Sequence, residues 1–431
     1  MNKAIKIPAF LFLSFVGIMN AQEKVLAKER YIPAKIWMVP EHNNYDFLDS
    51  DYSYSRMIES DNIVMFWHKE YGNDPTLNAD LKKRFDPKKA IEECERFYQF
   101  YVNDLKLVQK GHSVSDQYKL LIFVFGGSEN TAFGGGEEDK VGILWTPAVR
   151  INAVPYGALA HEIGHSFQYM SHADSKTGPS GPVMEMSAQY MLWQVYPEWM
   201  TFENYHLKDF LKGTHYAFLH PANMYHSPYV LEYWSEKHGI DFWGRLSRST
   251  KEGEDVVLTY KRINTISQEQ FNDEIFDASR KFITWDLKRV EEAAKPYRNL
   301  HFSKLNAIEE GWYQIDSTNC PQDYGYNGIK LNVPSAGTKV KLKFKGLADS
   351  KENAGWRYGF VASLKDGKRV YSNAFKDNEK EIEFKVPTNT EYLWLVVSAA
   401  PKVHEKHSWE NEKETYRSFP YKVQFKNTKP L

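Results

Sequence analysis

Two histidines four positions apart with a glutamate after the first constrain this chain more than any other feature: His161-Glu162-Ile163-Gly164-His165, inside the run from Pro155 to Tyr169. On a helix, residues four apart lie one turn above each other on one face, so both imidazoles can hold one metal ion from the same side. Glu162 follows the first histidine directly and points beside that ion, where it can reach a water. A catalytic zinc takes three protein ligands and leaves a position for water, so a third ligand must come from elsewhere. Ser180-Gly181-Pro182 has the chemistry of a helix start, with proline suited to the first turn. That places Glu185 early in a second helix, beyond a turn-rich loop from Ala173 to Gly181. The expected arrangement is two antiparallel helices across one metal. Surface histidines are the plain alternative, but a charged glutamate beside two histidines on an otherwise apolar helix is costly to bury without a partner.

This layout resembles the gluzincin superfamily of zinc peptidases, whose best-known members are thermolysin-like. The resemblance implies Zn2+ as cofactor, His161, His165 and Glu185 as its ligands, and Glu162 as general base. A metzincin would need glycine at 168 and histidine at 171, where this chain has Gln168 and Ser171. Asp174, a possible ligand in an aspartate zincin, lies in the loop and lacks the second helix. Thermolysin-like enzymes carry a carboxylate one turn beyond the ligand glutamate, which orients a ligand histidine. Gln189 stands there in this chain and offers a carbonyl without the charge. Gluzincins also stabilise the oxyanion with a histidine or tyrosine from a later element. Residues 215–238 supply His215, Tyr216, His220, Tyr225, His226, Tyr229 and Tyr233. The entry of a helix expected from about Pro228 to His238 favours His226 and Tyr229 as catalytic groups. No organic cofactor is expected.

Residues 1–21 read as a secretory signal peptide: two lysines, an apolar run from Ile7 to Met19, and cleavage after Ala21. The run is too short to span a bilayer, and no cysteine follows it to carry a lipid. With no other long apolar stretch, the mature chain is expected to be soluble and exported, periplasmic or extracellular in a Gram-negative bacterium. A net charge of −1 gives no argument for nucleic acid or an anionic membrane surface as partner. The two cysteines, Cys94 and Cys320, are read as buried free thiols rather than a bridge.

The fold class is α+β, with a zincin-like domain over 22–305 and an antiparallel β-sandwich over 308–431. In the first, Asp61 to His68 reads as a buried strand and Asp86-Pro87 opens a helix running to about Leu107. His68 is expected to pack beside its strand, and the acidic cluster of Asp46, Asp49 and Asp51 to be solvated surface, since it lacks the spacing of a calcium loop. Tyr118 to Phe125 is a strand leading into Gly126-Gly127-Ser128 and Phe133-Gly134-Gly135-Gly136. No Gly-Lys-Ser/Thr follows, so this is no phosphate loop, and flexible backbone near the site is expected. Val141 to Thr146, just ahead of the zinc helix, is expected to be the sheet edge that pairs with extended substrate. Ser267 to Gln270 is a capping box.

From about 311 the period changes to two, as in Val340, Leu342 and Phe344 alternating with lysines, with Asp366-Gly367 as a hairpin turn. About eight strands make the sandwich. Trp312, Trp356 and Tyr358 offer stacking surface to sugar rings, or belong to its core. Ala160 to Gln168, Glu185 to Gln189, Tyr324 to Asn327 and Gly355 to Phe360 together resemble a family of exported bacterial proteins known only as a domain of unknown function. The reading that follows is an exported zinc metallopeptidase acting on a peptide, protein or glycoprotein. The alternative is a zincin-fold protein that acts on or binds glycans through its sandwich.

Overall fold

The computed structural model describes residues 27–348, 352–407 and 416–431. The expected leader, residues 1–21, lies outside the described residues. The chain is a mixed helix-and-sheet structure. Its first half is built on five strands, β1 (Met57–Glu59), β2 (Ile63–Trp67), β3 (Leu120–Phe125), β4 (Phe133–Glu137) and β5 (Val141–Pro147), ordered β1-β2-β3-β5-β4. β2, β3 and β5 run parallel and every residue in them is buried. Continuous apolar runs such as Leu-Leu-Ile-Phe-Val-Phe arise because both faces of a parallel sheet are covered.

This order corrects one expectation. Val141 to Thr146 lies inside the sheet, and the edge is β4, the glycine-rich segment read from sequence as a flexible loop. Three consecutive glycines carry no strand propensity. Their lack of side chains matters because β4 lies against the helix that follows. A Cβ on Gly134 would stand 2.0 Å from the Glu162 backbone oxygen, and one on Gly136 2.2 Å from the Tyr169 ring.

Helix α1 (Pro87–Asn103) starts where Asp86 accepts from the Lys88 and Lys89 N–H groups and Pro87 takes the first position. It supports α2 (Gly157–Ser175) through Tyr101, whose hydroxyl donates to the Ala160 carbonyl at 2.9 Å. α3 (Val183–Val195) packs on α2. Among the described residues seven α-helices follow: α4 (Trp199–Phe202), α5 (Asn204–Lys212), α6 (Tyr229–His238), α7 (Phe242–Ser249), α8 (Val256–Ile263), α9 (Gln268–Phe282) and α10 (Glu291–Ala294). α9 opens with the reciprocal Ser267–Gln270 capping box. His68 caps a short turn by accepting from the Glu70 N–H, and Asp51 pairs with Lys69 at 2.8 Å.

Among the described residues the second half has nine strands: β6 (Leu305–Ala307), β7 (Trp312–Ile315), β8 (Tyr326–Leu331), β9 (Lys339–Gly346), β10 (Trp356–Leu364), β11 (Arg369–Tyr371), β12 (Glu379–Lys385), β13 (Thr390–Ala399) and β14 (Tyr421–Lys426). They form two antiparallel sheets, β11-β10-β13-β8 and β12-β9-β14-β7-β6, enclosing a core that includes Leu342, Phe344, Phe360 and Leu395. The first of these strands begins just ahead of residue 308. The other face of the four-stranded sheet turns Tyr326, Val361, Trp394 and Val396 into the same core as Phe282 and Trp285. Cys94 lies in the helical core and Cys320 in the sandwich core, both as free thiols. Trp356 and Tyr358 are buried core residues rather than sugar platforms, whereas Trp312 is partly exposed.

Candidate metal centre

His161, Glu162 and His165 project from α2, and Glu185 from the first turn of α3. The two helices approach closely at Gly164, where a Cβ would stand 2.8 Å from Met191 Cε and 3.5 Å from Ala188 Cα. A single added methyl needs only the Met191 side chain to shift, whereas a bulky residue at 164 would press on the Ala188 backbone and hold α3, with Glu185, away. As it is, His161 Nε2, His165 Nε2 and Glu185 Oε2 are each 3.1 Å from the other two. An equilateral triangle of that edge forms one face of a tetrahedron whose centre lies ~1.9 Å from each corner, against roughly 2.0–2.2 Å for zinc bound to nitrogen or oxygen. Among the described residues this is the one cluster of three histidine, cysteine or acidic side chains so placed.

The protonation pattern fits a metal as well. Gln168 donates through Nε2 to the Met184 carbonyl at 2.9 Å and to Ser187 Oγ at 2.8 Å, so its Oε1 is the atom facing His165 Nδ1 at 2.8 Å. Nδ1 must therefore donate, which leaves the lone pair of His165 on Nε2, directed into the triangle. Along the sequence Gln168 stands out only as the residue where a metzincin has glycine. Gln189, expected in this role, instead places Nε2 3.1 Å from His206 Nε2, away from both ligand candidates.

Charge is distributed accordingly. Burial works to raise the Glu185 carboxyl, but hydrogen bonds and charge from His161 and His165 outweigh it and hold the group well below the usual carboxylate range. Burial works to lower His165, and Glu185 overcomes this and raises it. Glu162, partly exposed beside the triangle, is raised by burial, with the two histidines and the nearby Gly134 N–H of β4 pulling the other way.

Of the two groups expected to stabilise an oxyanion, neither reaches the triangle. Tyr229, the first residue of α6, is fully buried among Trp193, Phe210, Phe282 and Trp285. His226 is turned to His206, Nδ1 to Nδ1 at 2.7 Å. The tyrosine that does reach it is Tyr225, in the loop before α6. Its ring lies over His161, with centroids 6.3 Å apart, and its hydroxyl lies within the field of the Glu185 carboxylate. Burial and Glu185 push it up to about 12. Position in the loop ahead of the helix was the available signal, because a residue on the helix itself is committed to packing.

Residues 22–431 match a family described as a family of unknown function, DUF6055. The chain belongs to this family. No curated protein sequence matches this DUF6055 chain. Similar solved structures include the ZmpB metallopeptidase from Clostridium perfringens, 15% identical over 80% of this chain and 66% of that one, with a TM-score of 0.33. The M60 catalytic domain of Clostridium perfringens ZmpC, in complex with the sialyl T antigen, is 13% identical over 83% and 69%, with a TM-score of 0.32. The M60 catalytic domain of ZmpB from the same organism, with its CBM51-1 and CBM51-2 domains, is 10% identical over 88% and 60%, with a TM-score of 0.30. The DUF6055 chain thus spans about two thirds of the length of these chains.

Beside His165 a cavity of about 310 Å³ opens, bordered by Gly134 and Gly135 of the sheet edge and by Gln168, Tyr169, Met184 and Trp243. Its walls are mainly apolar, with room for one large side chain. No described helix is long and apolar enough to cross a membrane.

Proposed function

We propose that this protein is an exported zinc metallopeptidase of zincin type, with His161, His165 and Glu185 as zinc ligands and Glu162 as general base. The observation that carries the reading is the 3.1 Å triangle of two imidazole nitrogens and a carboxylate oxygen, with Glu162 beside it. When bound, zinc polarises the scissile carbonyl and lowers the pKa of water. Glu162 takes the proton of the attacking water and delivers it to the leaving amine. A carboxyl raised by burial suits that second task, since it holds the proton longer than a solvated one. The Tyr225 hydroxyl supports the oxygen on which negative charge develops. An extended peptide adds to the free edge of β4 by backbone hydrogen bonds, and the cavity next to His165 receives a side chain flanking the cleaved bond.

Glu162→Gln tests this directly. The variant is expected to keep one zinc per chain while cleavage of a mixed peptide library falls by roughly 10²–10⁴, and a chelator is expected to abolish cleavage by the wild type. A purified protein without zinc overturns the reading. Zinc without peptide cleavage overturns the peptidase and leaves a metal site with a different task.

A further inference from the structure

The solvent face of the five-stranded sandwich sheet carries more positive charge than its own stability can explain. On this face Lys345 lies directly opposite Lys422, and Lys341 opposite Lys426, across the β9–β14 pair. Like charges directly opposite each other in a sheet are destabilising, and one glutamate at 422 or 426 would relieve each pair. Lysines are common on edge strands, where they prevent sheet-to-sheet association. β9 and β14, however, are interior strands, so that explanation does not apply. The edge strand β12 supplies three glutamates, bound to Lys339 at 2.7 Å and to Lys341 and Lys345 at 3.0 Å. Glu381 is also within the field of Lys343 and Lys426. Even so, Lys343, Lys422 and Lys426 make no ion pair among the described residues.

Next to these three stands the partly exposed Trp312, paired across the strands with Gln424, with the Lys422 ammonium 4.7 Å above its ring. Lys343, Gln424 and Lys426 border a shallow cleft on the same face. Lys422 and Lys426 lie ~13 Å apart along the strand. Charges spread in this way match a chain of repeating anions rather than a single anion, and the face is open rather than enclosed.

We propose that this face binds an acidic polysaccharide. Carboxylates or sulfates of the polymer meet the unpaired lysines, the apolar face of a sugar ring lies on Trp312, and Gln424 offers an amide to hydroxyls. A single-stranded nucleic acid, the other common polyanion, is held by several stacked aromatic side chains in a basic groove, and here one indole stands on a flat surface. The inference is independent of the zinc site.

The test uses the full chain, with fluorescent polygalacturonate and heparin as acidic probes, and dextran and single-stranded DNA as comparators. Binding to at least one acidic polysaccharide is expected, weakening with salt, with none to dextran and weaker binding to the DNA. The triple variant K343S/K422S/K426S is expected to bind at least tenfold more weakly and to melt at or above the wild-type temperature, because it loses both like-charge pairs. Trp312→Ala, with all lysines present, is expected to weaken binding severalfold. The proposal is overturned if neither acidic probe binds, if the triple variant binds like the wild type, or if DNA binds as tightly as polygalacturonate and heparin.

Discussion

The helical half contains two pairs of touching histidines, and they do opposite things. His161 and His165 face each other at 3.1 Å with Glu185 equidistant from both. His206 and His226 face each other at 2.7 Å, and the third group is the Gln189 amide. In the second pair the Gln189 amide donates to His206 Nε2, so His206 Nδ1 carries the proton and donates to His226 Nδ1, and neither of these two lone pairs is left for a metal. In the first, Gln168 fixes the proton of His165 on the far nitrogen and leaves the near one free for a metal. The electrostatics diverge with the chemistry. Glu185 keeps His165 raised, whereas burial and the neighbouring imidazoles of His226 and His161 push His206 down to about 4. Two imidazoles in contact are thus not a metal site; a carboxylate and a fixed tautomer make the difference.

Removing the carboxylate should erase the distinction, and this is the largest effect expected. Glu185→Gln turns the first pair into a copy of the second, and zinc should be absent from the purified variant by metal analysis, as in His161→Ala. Retention of stoichiometric zinc by Glu185→Gln would mean that the third ligand lies elsewhere. Next in size is Tyr225→Phe, which leaves the triangle intact. Its kcat should fall by ~10²–10³ with KM and zinc content nearly unchanged, while the same change at Tyr229 should alter stability rather than turnover. A smaller effect is expected of Gln168→Ala, which frees the His165 tautomer. Zinc affinity, measured by competition with a chelating dye, should fall by about 10–100-fold.

Acid sharpens the comparison further. In the metal-free protein the raised His165 adds stability that is fully present below pH 6.5 and is lost as pH rises through its raised value. Glu185 adds stability present above pH 4.5 and lost as pH falls through its depressed value. Both act together between pH 4.5 and 6.5. His206, lowered from 6.5 to about 4, works the other way. Its share is present above pH 6.5 and is lost as pH falls toward 4, by up to about 3 kcal/mol. Urea unfolding of His206→Gln across that range should show a shallower loss of stability than the wild type; an unchanged slope would assign the acid response to other groups.

How much of this was legible in the sequence follows from how local each signal is. The two helices and their ligand candidates could be read because helical spacing alone brings His161 and His165 together, and Pro182 marks the start of the helix carrying Glu185. The buried strands were legible as apolar runs and the sandwich as period-two alternation. β4 was not, because a glycine run acquires its strand geometry from contact with α2 and not from its own preferences. Gln168 and Tyr225 were passed over for a similar reason. Their roles depend on the Met184 carbonyl and on Glu185, partners that no spacing along the chain specifies. Tyr229 looked suited to the site because helix entries often face clefts, but this one faces inward onto Trp285.

The sharing of one core by both halves bears on how such a protein can be inherited. Phe210 and Phe282 of the helical half pack with Tyr326, Trp285 packs on Phe210, and Trp394 of the sandwich lies in the same cluster. A fragment ending before Leu305 would open that aromatic cluster to water and should aggregate. The sandwich is therefore not a detachable accessory that recombination can pass from one protein to another. The two halves must be synthesised and evolved as a single unit.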